Sequence, residues 1–206
     1  MRLHRLAMFV PLLLVACATD SEPPYDPLED FEEIDATTIL DAPSPVAGNF
    51  APEHQNQVRR GEYLVELLGC GACHTDGALE GAPQIDRALA GSSIGIAFTN
   101  PLGTETPGIV FPPNITPDDE TGIGSWSDQQ IERAVRIGLG RHAGRRIAVM
   151  PWQGYTKMTD EDVTAVVSYL RSIEPIANTV PEPVRRGERT RERFVYFGVY
   201  QNMTDD

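Results

Sequence analysis

The sequence predicts an all-α fold, based on three helical segments, one cysteine and histidine motif, and one long stretch without periodicity. Apolar residues recur at helical spacing in the segments, which lie at about 55–68, 128–137 and 160–171. The motif is Cys70-Gly71-Ala72-Cys73-His74, and it follows the first segment directly. From there to Trp126 the chain is rich in Gly and Pro and keeps no strong period. We therefore expect a few helices connected by long irregular loops.

The five-residue motif indicates the cofactor. Two cysteines three residues apart, followed at once by a histidine, are the pattern of covalent c-type haem attachment. Cys70 and Cys73 can each bond one vinyl group of the porphyrin, and His74 can hold the iron. A structural disulfide and a zinc site are the alternatives, but a closed zinc site needs two further ligands and the chain has only one other cysteine, Cys17. The motif predicts one covalent haem c.

A haem would also explain the long irregular stretch. A structureless loop of such length is unusual inside a compact domain, but chain that wraps a large apolar disc need not form regular structure. Its apolar residues are candidates for the pocket wall, with generic core as the alternative: Ile85, Leu89, Ile94, Ile96, Phe98, Ile109, Val110, Phe111 and Ile115.

Two later helices carry their own start signals. Ser127 and Gln130 form a capping box before the second helical segment. Thr159 precedes three acidic residues at the start of the third, where the helix dipole favours negative charge. Gly69 is expected to end the first helix immediately before the motif.

The N-terminus predicts export and a lipid anchor. Residues 1–16 combine Arg2 and Arg5 with an apolar run, which is typical of a secretory signal peptide. Leu14-Val15-Ala16-Cys17 resembles a bacterial lipoprotein box, in which Cys17 would be diacylated after cleavage; a plain signal cleaved near Ala18 is the alternative. Several acyl chains give a firm anchor at about 0.8 kcal/mol per buried methylene. We expect a location on the periplasmic side of a bacterial membrane.

Composition divides the rest of the chain and excludes one class of partner. Residues 17–54 are rich in Pro and acid and predict an extended tether, residues 55–176 the haem domain, and residues 177–206 a C-terminal extension. The chain has 17 basic and 30 acidic residues, and loss of the leader leaves 15 basic ones. Such a charge argues against nucleic acid as a partner. The extension is basic and aromatic, so it either packs back on the domain or forms a docking surface.

Several short motifs resemble class I cytochrome c, in particular the c-type cytochromes that accept electrons in periplasmic dehydrogenases. They occur in the family's order and cover about residues 57–176. These motifs are Arg60-Gly61-Glu62-Tyr63-Leu64 leading into Cys70 to Thr75, Pro113 to Asp118, Thr121 to Trp126, Met150-Pro151, and Asp162-Val163 with Tyr169-Leu170.

The resemblance implies roles for individual residues. Met150, followed by Pro151, is expected to be the second axial ligand opposite His74. The carbonyl of Pro83 is expected to accept a hydrogen bond from the second ring nitrogen of His74, with a turn proline as the alternative. Trp126 either points its indole N–H at a haem propionate or belongs to the core. The alternatives to Met150 are Met158, His142, His54 or an open site. The resemblance also implies that the last domain helix crosses the first, with Gly61 near Tyr169.

These residues predict an electron carrier, not an enzyme. Iron with histidine and methionine ligands would cycle between Fe(II) and Fe(III), exchanging electrons with a redox donor and acceptor such as a dehydrogenase or oxidase subunit. A haem enzyme or a gas or redox sensor with an open sixth site is the first alternative. A structural or assembly lipoprotein without cofactor is the second.

Overall fold

The computed structural model describes residues 40–99, 108–140 and 149–198. All three predicted helices are present within these ranges, and the haem motif itself forms a short helix. A further short helix follows Pro151. The helices are α1 (Gln55–Leu67), α2 (Cys70–His74), α3 (Asp128–Ile137), α4 (Trp152–Tyr155) and α5 (Asp160–Ser172).

The predicted helix boundaries are confirmed by their caps. The Ser127 hydroxyl accepts from the Gln130 N–H at 3.3 Å, and the Gln130 side chain accepts from the Ser127 N–H at 2.8 Å, which completes the capping box. The Thr159 hydroxyl accepts from the Asp162 N–H at 3.1 Å at the start of α5. Gly69 adopts φ 66°, a left-handed conformation that glycine adopts without strain, between α1 and α2.

The crossing of α1 and α5 forms the main core, and it confirms the expected proximity of Gly61 and Tyr169. A Cβ atom added at Gly61 would lie 2.0 Å from the carbonyl oxygen of Ala165 and 2.6 Å from Cβ of Tyr169. Only glycine permits the two helices to approach so closely. Tyr169 is the largest fully buried side chain among the described residues, and its hydroxyl donates to the Pro43 carbonyl at 2.6 Å. The main core consists of Val58, Leu64, Val65, Leu89, Ile123, Ile131, Ala165, Val166, Val167, Tyr169, Leu170 and Ile173.

Residues 40–54 do not form the free tether that composition predicts. The Val46 N–H donates to the Ser172 carbonyl at 2.8 Å, the Ala42 N–H donates to the Glu66 carboxylate at 3.0 Å, and Phe50 packs against the main core. These contacts attach the segment to both α1 and α5. The remaining tether, the signal peptide and Cys17 lie outside the described residues.

A small sheet accompanies the helices, so the predicted all-α class is not confirmed. The strands β1 (Gly95–Phe98), β2 (Ile109–Val110) and β3 (Phe194–Phe197) lie in the order β2-β1-β3. β2 is antiparallel to β1, whereas β3 is parallel to it with Ile96 opposite Val195. The described part of the C-terminal extension therefore packs back on the domain.

Two buried clusters flank this sheet. One, which we call the sheet cluster, consists of Ile96, Phe98 and Val110, and Cys73, Leu79, Val149 and Val195 pack against it. The other consists of Ala97, Ile109 and Phe111. Seven of the nine predicted wall residues are buried, whereas Ile115 is half-buried and Ile85 is 61% exposed. Within the described ranges, no helix has the length and apolarity needed to cross a bilayer.

Candidate haem site

The two cysteines of α2 lie at the boundary between the main core and the sheet cluster. Cys70 packs against the main core and Cys73 against the sheet cluster, and both are free, half-buried thiols. Burial, with a smaller contribution from the neighbouring Cys73, raises the pKa of Cys70 to about 12. Burial raises the pKa of Cys73 as well. Both sulfurs are therefore neutral at physiological pH, within one helical turn and against apolar surroundings.

His74 is oriented by a backbone carbonyl. Its Nδ1 lies 2.7 Å from the carbonyl oxygen of Pro113. Because a carbonyl can only accept, Nδ1 carries the proton and Nε2 keeps its lone pair for a metal. Burial lowers the pKa of His74, and the bond to Pro113 acts in the opposite direction. The neutral imidazole is thus held in the tautomer that ligates through Nε2.

The partner of His74 is Pro113, so the prediction that Pro83 serves this role is wrong. Pro83 belongs to a separate tight turn, in which the Ala82 N–H donates to the Gly77 carbonyl at 3.0 Å and the Gln84 N–H donates to the Asp76 carbonyl at 2.9 Å. Pro83 therefore lies in a local turn of residues 76–84, which was the alternative to a role beside the haem.

Asn114 fixes the position of the Pro113 carbonyl, a role that the sequence did not indicate. Its side chain is nearly fully buried, and its amide donates to the Thr121 hydroxyl at 3.0 Å and to the Ile176 carbonyl at 2.7 Å. Its carbonyl oxygen accepts from the N–H and the hydroxyl of Thr116 at 2.9 and 2.8 Å. Loss of a partner would leave a buried polar group unsatisfied, at a cost of about 1–3 kcal/mol. Asn114 stands in one of the motifs quoted above, which was the available signal.

Gly91 connects the backbone of His74 to the segment that contains Asn114. Its N–H donates to the His74 carbonyl at 2.8 Å, and a Cβ at this position would lie 2.7 Å from the backbone nitrogen of Asn114. Gly91 adopts φ 89°, where other residues are strained. The two chain segments that hold His74 are thus in direct contact with each other.

Trp126 lies at the edge of the main core. It is half-buried and packs against that core, and its carbonyl accepts from Arg171, which also donates to the carbonyls of Ile123 and Gly124 at 3.1 and 2.9 Å. Arg171 thereby holds the loop before α3 onto α5. The packing agrees with the core alternative for Trp126, while the propionate contact stays a prediction.

The segment that contains Met150 is attached to the motif region on both sides. Val149 packs against the sheet cluster that Cys73 also contacts. On the other side, the Tyr155 hydroxyl of α4 donates to the Leu68 carbonyl at 3.4 Å. Burial, together with smaller contributions from Cys70 and Cys73, raises the pKa of Tyr155 to about 12. Met150 itself is half-buried, and its carbonyl accepts from the Trp152 N–H at 2.8 Å.

Of the three alternative axial ligands, two lie in other parts of the described structure and one lies outside the described residues. Met158 packs against the main core, and its carbonyl accepts from Arg136 at 2.6 Å. His54 is exposed at the start of α1. His142 lies outside the described residues, and its assignment was not tested.

The described residues fit a covalently attached haem better than they fit the alternatives considered for the motif. Two free thiols, a neutral imidazole with a fixed Nδ1 proton, and apolar side chains on both sides of α2 are the groups that a c-type haem requires. Among residues 40–99, 108–140 and 149–198, no group of three or more His, Cys, Asp or Glu side chains is placed to hold a metal ion. This geometry does not support a closed zinc site there.

Comparison with known proteins decides the family. The model of the family described as Cytochrome c matches residues 58–174. The chain belongs to the cytochrome c family. Membership implies a helical haem fold and a covalently bound haem c, for which Cys70, Cys73 and His74 have the required positions.

Relatives of this cytochrome include subunits of dehydrogenases. It is 31% identical over 133 residues to the fructose dehydrogenase cytochrome subunit of Gluconobacter japonicus, covering 64% of this chain and 24% of the relative. It is 35% identical over 121 residues to the gluconate 2-dehydrogenase cytochrome c subunit of Pantoea cypripedii, covering 58% and 24%. A diheme cytochrome c-type protein of Cereibacter sphaeroides is 27% identical over 119 residues, covering 58% and 37%. The cytochrome thus spans about a quarter of the length of the first two relatives.

Proposed function

We propose that this cytochrome carries single electrons between a dehydrogenase and a later redox protein, using one covalent haem with His74 and Met150 as axial ligands. The observation that carries the proposal is the fixed imidazole of His74 beside two free thiols, in a chain whose family binds haem c. When bound, the haem supplies a reversible one-electron couple between Fe(II) and Fe(III).

The chain's own residues prepare the site for that task. Cys70 and Cys73 supply the sulfurs for attachment, and Pro113 and Asn114 keep the His74 ring in one orientation. The sheet cluster excludes water from the side of Cys73, which lowers the local dielectric. A fixed ligand and a dry site reduce the structural rearrangement that accompanies each change in the charge of the iron.

Met150 is the proposed second ligand because its segment is tied to the motif region through Val149 and Tyr155. A thioether favours ferrous iron relative to imidazole and raises the reduction potential. Such a potential suits an acceptor of electrons from a dehydrogenase. The partner class is proposed from the relatives, several of which are named as cytochrome subunits of dehydrogenases.

The purified, haem-loaded full chain provides the test. We expect the pyridine haemochrome assay to give one covalently bound haem per chain, and spectroelectrochemical titration to give a reversible one-electron transition. A chain without covalent haem would support the structural lipoprotein instead. Ready binding of carbon monoxide by the ferrous protein at neutral pH would support the haem enzyme or sensor with an open sixth site.

Export and lipidation at Cys17 are also proposed. The support is the sequence at residues 1–17, with basic residues, an apolar run and a lipoprotein-type box. We expect the native chain to sediment with the membrane fraction and the Cys17→Ala variant to appear in the soluble periplasmic fraction or to remain uncleaved. The Cys17→Ala protein should keep its haem, because Cys17 is separate from the motif. Membrane association of a Cys17→Ala protein whose leader has been removed would contradict the anchor.

A further inference from the structure

The C-terminal extension carries positive charge on a strongly acidic protein. The whole chain has 17 basic and 30 acidic residues, yet residues 185–193 contain five arginines and two glutamates. Arg193 forms an ion pair with Glu80, just beyond the haem motif. Among the described residues the other four arginines form no ion pair, and their side chains are exposed; they are Arg185, Arg186, Arg189 and Arg191.

An exposed aromatic strand follows these arginines directly. Phe194, Tyr196 and Phe197 of β3 are 48%, 52% and 44% exposed. The strand is fixed in place, since the Gly95 N–H donates to the Arg193 carbonyl at 2.8 Å and the Thr99 N–H donates to the Phe197 carbonyl at 3.0 Å. β3 is an edge strand, because the order is β2-β1-β3 in the described sheet. Exposed aromatic rings on a rigid edge are typical of protein contact sites.

This surface lies beside the site of haem attachment. Val195 points from β3 into the sheet cluster, and Cys73 packs against the same cluster. Val195 and Cys73 thus pack against one shared cluster, which consists of Ile96, Phe98 and Val110. A partner bound at β3 would be close to the redox group.

We propose that the four arginines and the two aromatic residues on the other face of β3 from Val195 form one docking surface for an acidic redox protein. We call it the arginine-aromatic surface, and it consists of Arg185, Arg186, Arg189, Arg191, Phe194 and Tyr196. The proposal rests on the proposed electron-transfer function and adds the place and the charge of one partner. Arginine binds carboxylates with paired donors, and aromatic rings supply the apolar centre of an interface.

A redox protein is favoured over a lipid surface because of the position of the arginine-aromatic surface. The surface is next to the cluster that contacts Cys73, a position that serves electron exchange and has no value for lipid binding.

The proposal predicts that the rate of encounter with an acidic partner depends on salt with the opposite sign to that expected from net charge. Two acidic proteins repel, so net charge alone makes their encounter faster as salt screens the repulsion. A positive docking surface makes the encounter with an acidic partner slower as salt is added.

Stopped-flow kinetics with the haem-loaded full chain tests this sign. The probe is a strongly acidic blue copper protein, and one electron passes between its copper and the haem in whichever direction the potentials allow. We expect the second-order rate to fall with ionic strength. Arg186→Gln/Arg189→Gln/Arg191→Gln should lower the low-salt rate by roughly tenfold and reverse the salt slope.

A matched variant controls for the change in net charge. Arg59→Gln/Arg133→Gln/Lys157→Gln removes the same three charges from exposed positions elsewhere and should change the rate less than about twofold. A rate that rises with salt in the native protein, or equal effects of the two variants, would overturn the docking surface.

Two further measurements separate this inference from the proposed function. Oxidation of the ferrous protein by ferricyanide reports redox competence without protein docking; if it succeeds while the salt slope is positive, only the docking surface fails. If no redox reaction occurs at all, both proposals fail. Loss of binding to anionic phospholipid vesicles in the Arg186, Arg189 and Arg191 variant, with an unchanged electron-exchange rate, would assign the surface to lipid and overturn the inference.

Discussion

Replacing Gly61 with alanine is expected to destabilise the cytochrome by about 3 kcal/mol or more, a large value for overpacking of a core. Helix propensity alone would favour alanine by about 1 kcal/mol at this position within α1. The new Cβ, however, would lie 2.0 Å from the Ala165 oxygen and 2.6 Å from its carbonyl carbon. Backbone atoms cannot rotate away, so α1 and α5 must separate and loosen the packing of Tyr169. Denaturant unfolding of the haem-loaded protein, followed by circular dichroism, measures the loss.

Gly154→Ala is the matched control for Gly61→Ala. Gly154 also lies in a helix, α4, but a Cβ there would meet nothing within 4 Å. We expect it to be neutral or to stabilise by up to about 1 kcal/mol. If Gly61→Ala left the unfolding midpoint unchanged, the close crossing of α1 and α5 would be contradicted.

Replacing Met150 with alanine is expected to remove the proposed second axial ligand of the iron. The ferric protein should lose its sulfur-to-iron charge-transfer absorption, and the ferrous protein should bind carbon monoxide readily at neutral pH. Met150→His, which restores a strong ligand, should lower the reduction potential by about a tenth or more of the roughly 0.8 V range that axial ligands control. Absorption spectra, carbon monoxide titration and potentiometry provide these three measurements.

Met158→Ala separates ligation from packing. Met158 packs against the main core through its side chain, so its loss should reduce the free energy of unfolding and leave the absorption spectrum unchanged. A normal spectrum in Met150→Ala, or the loss of the charge-transfer band in Met158→Ala, would contradict the assignment of Met150.

Local sequence signals predicted the helices because helix formation depends on nearby residues. The apolar spacing of α1, α3 and α5, the capping box at Ser127 and the terminating Gly69 all act within a few residues. The haem motif is local as well, so one pentapeptide is enough to predict three residues of the candidate site. The proximity of Gly61 to Tyr169 came from the family resemblance and not from periodicity.

Long-range pairings account for what the sequence did not predict. β1 and β3 pair in parallel although almost a hundred residues separate them, and two short strands carry too little pattern to reveal such a partner. Pro83 and Pro113 both lie in the irregular stretch after His74, and only the tertiary path of the chain decides which carbonyl reaches the ring. Residues 40–54 resemble a tether in composition, yet their backbone groups find partners on α1 and α5.

The hydrogen bonds of Asn114 extend the minimal functional unit beyond the matched family region. The family model ends at residue 174, but the Asn114 amide donates to the Ile176 carbonyl, and Asn178 donates to the Thr121 hydroxyl at 2.9 Å and to the Ala90 carbonyl at 2.8 Å. A chain truncated at residue 174 would lose these partners while keeping every helix and every proposed ligand. Residues 175–178 are therefore part of the scaffold that sets the ring orientation of His74, and a transplantable haem module from this protein would have to include them.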